Sequence, residues 1–109
     1  MKVAVIGSRS LSVANLSFYL PEETTEIISG GAKGVDASAR EYAARRGVML
    51  TEFLPDYGRY GKAAPLRRNI EILERADMVL AFWDGKSRGT KFVIDECAKR
   101  GVSLQIIRL

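Results

Sequence analysis

Thr24-Thr25-Glu26-Ile27-Ile28-Ser29-Gly30-Gly31-Ala32-Lys33-Gly34-Val35-Asp36 runs from an apolar strand through three glycines into a helix. Thr24 to Ile28 is β-branched and apolar enough for a short buried strand, stopped by Ser29-Gly30-Gly31. Val35 to Arg46 then reads as a helix. Val35, Ala39, Tyr42 and Ala43 share one face at spacings of three and four, and Gly47 supplies a C-terminal stop. Val48 to Leu54 returns to a strand.

The same alternation extends in both directions. Lys2 to Ile6 is a buried strand ending at Gly7, and Leu11 to Leu20 reads as a helix closed by Pro21. Pro55 to Ala64 contains Gly58 and Gly61 without an apolar period, which predicts a long loop. Pro65 fits the first turn of the following helix, with Leu66, Ile70 and Leu73 as its core face. Asp77 to Trp83 is a fourth strand. Gly89-Thr90 opens a helix through Arg100, Gly101 ends it, and Val102 to Leu109 is the last strand. Strands alternating with helices imply a parallel sheet covered on both faces. Right-handed crossovers make this a Rossmann-like, doubly wound, five-stranded α/β sheet, expected in the order 3-2-1-4-5. At 109 residues, positions 1–109 form one domain.

Composition narrows the chemistry. Hydrophobic residues make up 47% and charged residues 28%, a globular mixture. There is no histidine, so the commonest general base and metal ligand is missing and no metal site is expected. The one cysteine, Cys97, cannot form an internal disulfide, which fits a reducing cytoplasm. It falls four residues after Val93 on the inner face of the last helix, as a structural thiol would. The opening apolar run is too short for a secretion signal or a membrane span, so no membrane partner is expected. The net charge of +4 suits an anionic ligand. A homodimer or larger homo-oligomer is compatible with all of this.

In such a fold the loops after the strands gather at one edge. Gly7–Ser10, Ser29–Asp36, Leu54–Asn69 and Trp83–Thr90 hold eight cations and three carboxylates, a net +5, which leaves −1 for the remainder. The positive excess therefore belongs to one edge. In Ser29-Gly30-Gly31-Ala32-Lys33-Gly34-Val35-Asp36, glycines admit a phosphate to the backbone and the helix N-terminus offers unpaired N–H groups. Asp36 caps the helix or accepts from a ligand hydroxyl. The spacing is that of neither a Walker loop nor the G-x-G-x-x-G fingerprint. Gly7-Ser8-Arg9-Ser10 adds a hydroxyl and a guanidinium suited to bidentate anion contact. Asp84-Gly85-Lys86-Ser87-Arg88-Gly89-Thr90 repeats the pattern, with Trp83 as a base-stacking candidate. Arg59, Tyr60 and Lys62, followed by Arg67, Arg68 and Asn69, interleave cations with an aromatic, a pattern that suits single-stranded nucleic acid.

Gly7-Ser8-Arg9, Ser29 through Asp36, Arg68-Asn69 and Gly89-Thr90 follow one another as in the DprA/Smf–LOG (SLOG) superfamily, which this chain resembles over essentially its full length. The resemblance is closest to small stand-alone members related to YpsA. It implies a Rossmann-like fold and a nucleotide-related role, since the superfamily includes nucleotide binders, phosphoribohydrolases and DNA-processing proteins. The LOG hydrolases carry Pro-Gly-Gly-x-Gly-Thr-x-x-Glu with a catalytic glutamate. Here Val93 stands at the glutamate position and Ser87-Arg88 replace Gly-x. The DNA-processing relatives usually have a histidine where Arg40 stands and an arginine where Ile70 stands, and they use flanking segments to bind DNA.

These readings make a sensor or binding module for a nucleotide, or a phosphate-bearing nucleotide derivative, the leading expectation, with no other cofactor firmly implied. The contacts expected are Gly7, Ser8, Arg9, Ser29, Gly30, Gly31, Ala32, Lys33, Gly34, Asp36, Arg68, Asn69, Asp84, Ser87, Arg88, Gly89 and Thr90. A hydrolase cleaving an N-glycosidic or phosphate bond is the alternative, with Asp36, Asp84 or Glu96 as acid or base. A single-stranded nucleic-acid binder is the third.

Overall fold

The computed structural model describes residues 1–109. Lys2–Gly7 forms β1, Glu26–Ser29 β2, Met49–Glu52 β3, Met78–Trp83 β4 and Leu104–Arg108 β5. They pair in parallel, in the order β3-β2-β1-β4-β5 that the sequence predicts. The central strands are continuous apolar runs because both of their faces are covered. Val3, Val5, Ile27, Leu80 and Phe82 face one core, while Ala4, Ile6, Ile28, Val79 and Ala81 face the other.

Helix α1 (Val35–Arg46) covers the first face. Its buried stripe, Val35, Ala39 and Ala43, is made of small side chains that let the helix lie close to the sheet. The closeness is greatest at Gly7, where an added Cβ would lie 2.5 Å from the carbonyl oxygen of Phe82 and 2.6 Å from Cγ2 of Val35. Helices α3 (Ala64–Arg75) and α4 (Arg88–Arg100) cover the second face through Ile72, Leu73, Val93 and Cys97. Gly47 and Gly101 end α1 and α4 in the left-handed conformation expected of C-terminal glycines. No helix is long and apolar enough to cross a membrane.

Three local expectations need correction. Leu11 to Leu20 is not a helix; only Leu16–Phe18 makes a 3₁₀ turn. Its polar side chains compete for backbone or for one another: the Ser17 hydroxyl donates to Asn15 Oδ1 at 2.6 Å. The Val13 N–H donates to the Ser38 hydroxyl of α1 at 2.9 Å, outside any helical ladder. The segment packs by Val13 and Leu16, and Tyr19 meets Phe82 edge-on at 5.1 Å.

Pro55 to Ala64 is not a structureless loop. Asp56 accepts the Arg59 N–H at 3.1 Å and so starts a one-turn helix α2 (Tyr57–Tyr60), followed by a 3₁₀ turn, Gly61–Ala63, that runs into α3. No apolar period announces it because none of its residues is buried. Finally, the core face of α3 is Ala64, Ile72 and Leu73; Leu66 is 42% exposed and turns instead toward the cleft described next.

Candidate functional site

A cleft of about 410 Å³ opens at the carboxyl edge of β1 and β4, where the chain's strand order reverses. In open α/β sheets this is where ligands bind. The β1 loop contributes Gly7, Ser8, Arg9 and Ser10, the glycine loop contributes Gly30, Ala32 and Asp36, and α3 contributes Arg68 and Asn69. The loop into α4 adds Asp84, Ser87, Gly89 and Thr90. Ile6, Pro65, Leu66, Ile72 and Val93 give the cleft an apolar side.

The β1 and α4 loops are tied together by Asp84. Its Oδ1 accepts the N–H groups of Lys86 and Ser87, both at 2.8 Å, while Oδ2 accepts the Ser10 hydroxyl at 3.0 Å. The Asp84 N–H donates to the Ser8 hydroxyl at 3.2 Å. These donors, the Ser87 N–H first, pull the Asp84 carboxyl down to about 2. Ser87 caps α4 by accepting the Thr90 N–H at 3.3 Å. The N–H groups of Arg88 and Gly89, in the same turn, have no partner within the chain.

The opposite wall is built on Arg68. Its Nη1 donates to the carbonyl oxygens of Gly30 at 2.7 Å and Phe53 at 3.4 Å, and its Nε donates to Asn69 Oδ1 at 2.9 Å. Asp36 accepts the Ala32 N–H at 3.1 Å and is 7% exposed. Burial pushes its carboxyl up, against the pull of the Ala32 N–H and Arg68. Burial likewise lowers the Arg68 guanidinium, which Asp36 partly restores. Beside them the Ser29 hydroxyl is fully buried with no partner at hydrogen-bonding distance.

The glycines of the loop have structural tasks of their own. A Cβ on Gly30 would lie 2.6 Å from Arg68 Nη1 and 3.0 Å from Asp36 Oδ2. Gly31 is left-handed, with φ +69°, and packs under Leu54. Gly34, with φ +76°, sits against the backbone of Ser8 and Arg9, 2.5 Å from the Arg9 carbonyl oxygen to an added Cβ. Gly30 alone of the three lines the cleft; Ser29, Gly31, Lys33, Gly34 and Arg88 do not. Lys33 and Arg88 are exposed and make no ion pair.

The acid and base candidates separate. Asp36 and Asp84 line the cleft, whereas Glu96 pairs with Arg100 at 3.2 Å and Lys99 at 3.8 Å on α4, outside it. Val93 lines the cleft wall. Cys97 is fully buried, and burial pushes its thiol up, keeping it protonated. The cationic cluster is partly self-satisfied: the guanidinium groups of Arg59 and Arg67 lie 5.1 and 5.2 Å from the centre of the Tyr60 ring. Trp83 is also engaged, its Nε1–H donating to the Ser87 carbonyl oxygen at 3.1 Å.

Sequence reasoning left Ile6, Ser10, Pro65, Leu66, Ile72 and Val93 out of the site. Ser10 and Pro65 flank predicted element starts and were legible as neighbours of it. Ile6, Leu66 and Val93 read as core, and Ile72 was not singled out.

A parallel sheet in this order, with a polar cleft at its switch point, defines a Rossmann-like α/β architecture. Residues 1–60 match the model of the YspA, cpYpsA-related SLOG family, and the chain belongs to that family. It is also similar to the Gene 61 protein of Mycobacterium phage D29, 37% identical over 82 residues, which take in 70% of this chain and 66% of that protein, just under two thirds of its length. No solved structure matches.

Proposed function

We propose that this chain binds a nucleotide, or a phosphate-bearing derivative of one, in the cleft between the β1 loop, Arg68 of α3 and the first turn of α4. The observation that carries the reading is the convergence on one cleft of Arg9, Arg68, the four hydroxyls of Ser8, Ser10, Ser87 and Thr90, and Gly89 of α4 with its unpaired N–H. A phosphate needs just such donors, and a helix N-terminus adds partial positive charge. The cleft's about 410 Å³ falls within the range of small-molecule sites, roughly 300–1,000 Å³. Its apolar side, from Pro65 and Leu66 to Val93, suits a base or sugar face. Membership of the SLOG family supports a nucleotide-related role.

Hydrolysis is the second reading, favoured by one observation: Asp36 lines the cleft with its carboxyl raised by burial, as a general acid requires. The test of the first reading is a thermal-shift screen against AMP, ADP-ribose, NAD, cyclic nucleotides and short oligonucleotides. A ligand at about a hundred times its Kd stabilises the fold by roughly 2.7 kcal/mol. The reading predicts a shift with at least one phosphate-bearing small ligand, and no shift with any of them removes it.

A further inference from the structure

We infer that Trp83 and Arg108 are positioning residues, holding the loop into α4 so that the Ser87 and Thr90 hydroxyls face the cleft. Trp83 lies at the end of β4 and does not line the cleft itself. Its indole Nε1–H donates to the Ser87 carbonyl oxygen at 3.1 Å. Ser87 is thereby fixed at three atoms. Asp84 accepts its N–H at 2.8 Å, Trp83 takes its carbonyl, and its hydroxyl meets Thr90 Oγ1 at 3.1 Å while accepting the Thr90 N–H. With its N–H and carbonyl both held, the Ser87 backbone is fixed in place, and its hydroxyl is bonded to Thr90.

The indole is held in turn from β5. The Arg108 guanidinium lies 5.6 Å from the centre of the Trp83 ring, and the two residues are register partners in the β4–β5 ladder. The Leu109 N–H donates to the Trp83 carbonyl oxygen at 3.1 Å, extending that ladder past the last strand residue. On its other side the guanidinium occupies the space beside Gly85, where an added Cβ would collide with it. Gly85 has φ +83°, so glycine serves both the turn and the seat of Arg108. The chain Arg108–Trp83–Ser87 thus runs from the sheet edge to the cleft wall. This inference rests on the proposed site for its functional consequence and on the loop geometry alone for its structural one.

The structural consequence is read first. Trp83→Phe keeps an aromatic ring for Arg108 while removing the donor together with part of the indole. Losing one hydrogen bond predicts on the order of tenfold faster hydrogen exchange at the Ser87 and Thr90 amides, with the amides of β1 and β4 unchanged. Arg108→Gln predicts a smaller acceleration at the same amides. If Trp83 merely satisfies its own N–H, exchange at Ser87 and Thr90 stays as in the wild type in both variants, and the inference falls. The functional arm titrates AMP, ADP-ribose and inorganic phosphate into each protein. Weaker binding by Trp83→Phe of whichever probe the wild type binds, at an unchanged melting temperature, supports positioning, and equal binding overturns it. Should the wild type bind none of the three, the proposed function fails for them, while the exchange experiment still decides the loop.

Discussion

Arg68 and Gly30, 38 residues apart, are joined by a 2.7 Å hydrogen bond from Nη1 to the backbone carbonyl, and the glycine's missing side chain is the space that guanidinium occupies. The arginine is therefore a strut between α3 and the loop after β2 as well as a cation in the cleft. Its charge is available to a ligand only because the loop leaves room for it.

This relationship separates two neighbouring glycines. Gly30→Ala puts a methyl into the guanidinium, so Arg68 must move. Overpacking of this kind costs about 1–3 kcal/mol, and ligand affinity falls with it. Gly31→Ala is strained by its positive φ, at about 1–2 kcal/mol, yet lies outside the cleft and leaves affinity unchanged. Urea unfolding with parallel AMP titrations checks both, and equal loss of affinity in the two variants would contradict the assignment.

Asp36 predicts a pH signature. Its carboxyl is raised by burial above the ordinary value of 3.8, so its contribution to stability is fully present below that value and is lost as pH rises through the higher folded one. The stability of the wild type relative to Asp36→Asn should decline with rising pH over the interval just above 3.8. A difference that grows with pH in that window would show a carboxylate stabilised in its charged form.

Turnover is expected to be absent. Val93 on the cleft wall offers no proton, and Asp84, ionised down to about 2, is no general acid at neutral pH. Incubation with AMP should release no free base by chromatography. Release abolished by Asp36→Asn would make this an enzyme with Asp36 as its acid or base.

Oligonucleotides should bind weakly and lose affinity with salt. Single strands show a slope of about −0.7 per phosphate contact, and stacking a base on Tyr60 must compete with Arg59 and Arg67. Titrations at about 50 and 200 mM salt lie where that slope is readable. Tight binding at the higher salt, lost when Arg67 and Arg68 become Glu, would favour nucleic acid as the ligand.

The sheet was legible because its central strands are uninterrupted apolar runs and helices α1 and α4 end on glycine. Lys2 to Ile6 and Asp77 to Trp83 read as buried parallel strands, and the expected order was the one that sets a switch point beside strand 1. Leu11 to Leu20 was misread because its apolar spacing resembles a helix, whereas its backbone is claimed by Ser38 from α1. The short helix at Tyr57 was invisible to periodicity because it buries nothing. In the site, the polar loops announced themselves by glycine, hydroxyl and charge. The Arg68–Gly30 strut and the Trp83–Ser87 clamp did not, since both join residues through backbone carbonyls, which carry no sequence identity.

The most direct test is an amide chemical-shift titration of the protein with AMP and ADP-ribose at about 150 mM salt, the physiological ionic strength. The account predicts saturable shifts at Ser8 and Arg9, at Gly30 and Ala32, and at Gly89 and Thr90, with the amides of Gly47 and Gly101 at the opposite edge unmoved. Saturable shifts confined to Arg59 through Arg67, or none with either ligand, would contradict a nucleotide site in this cleft.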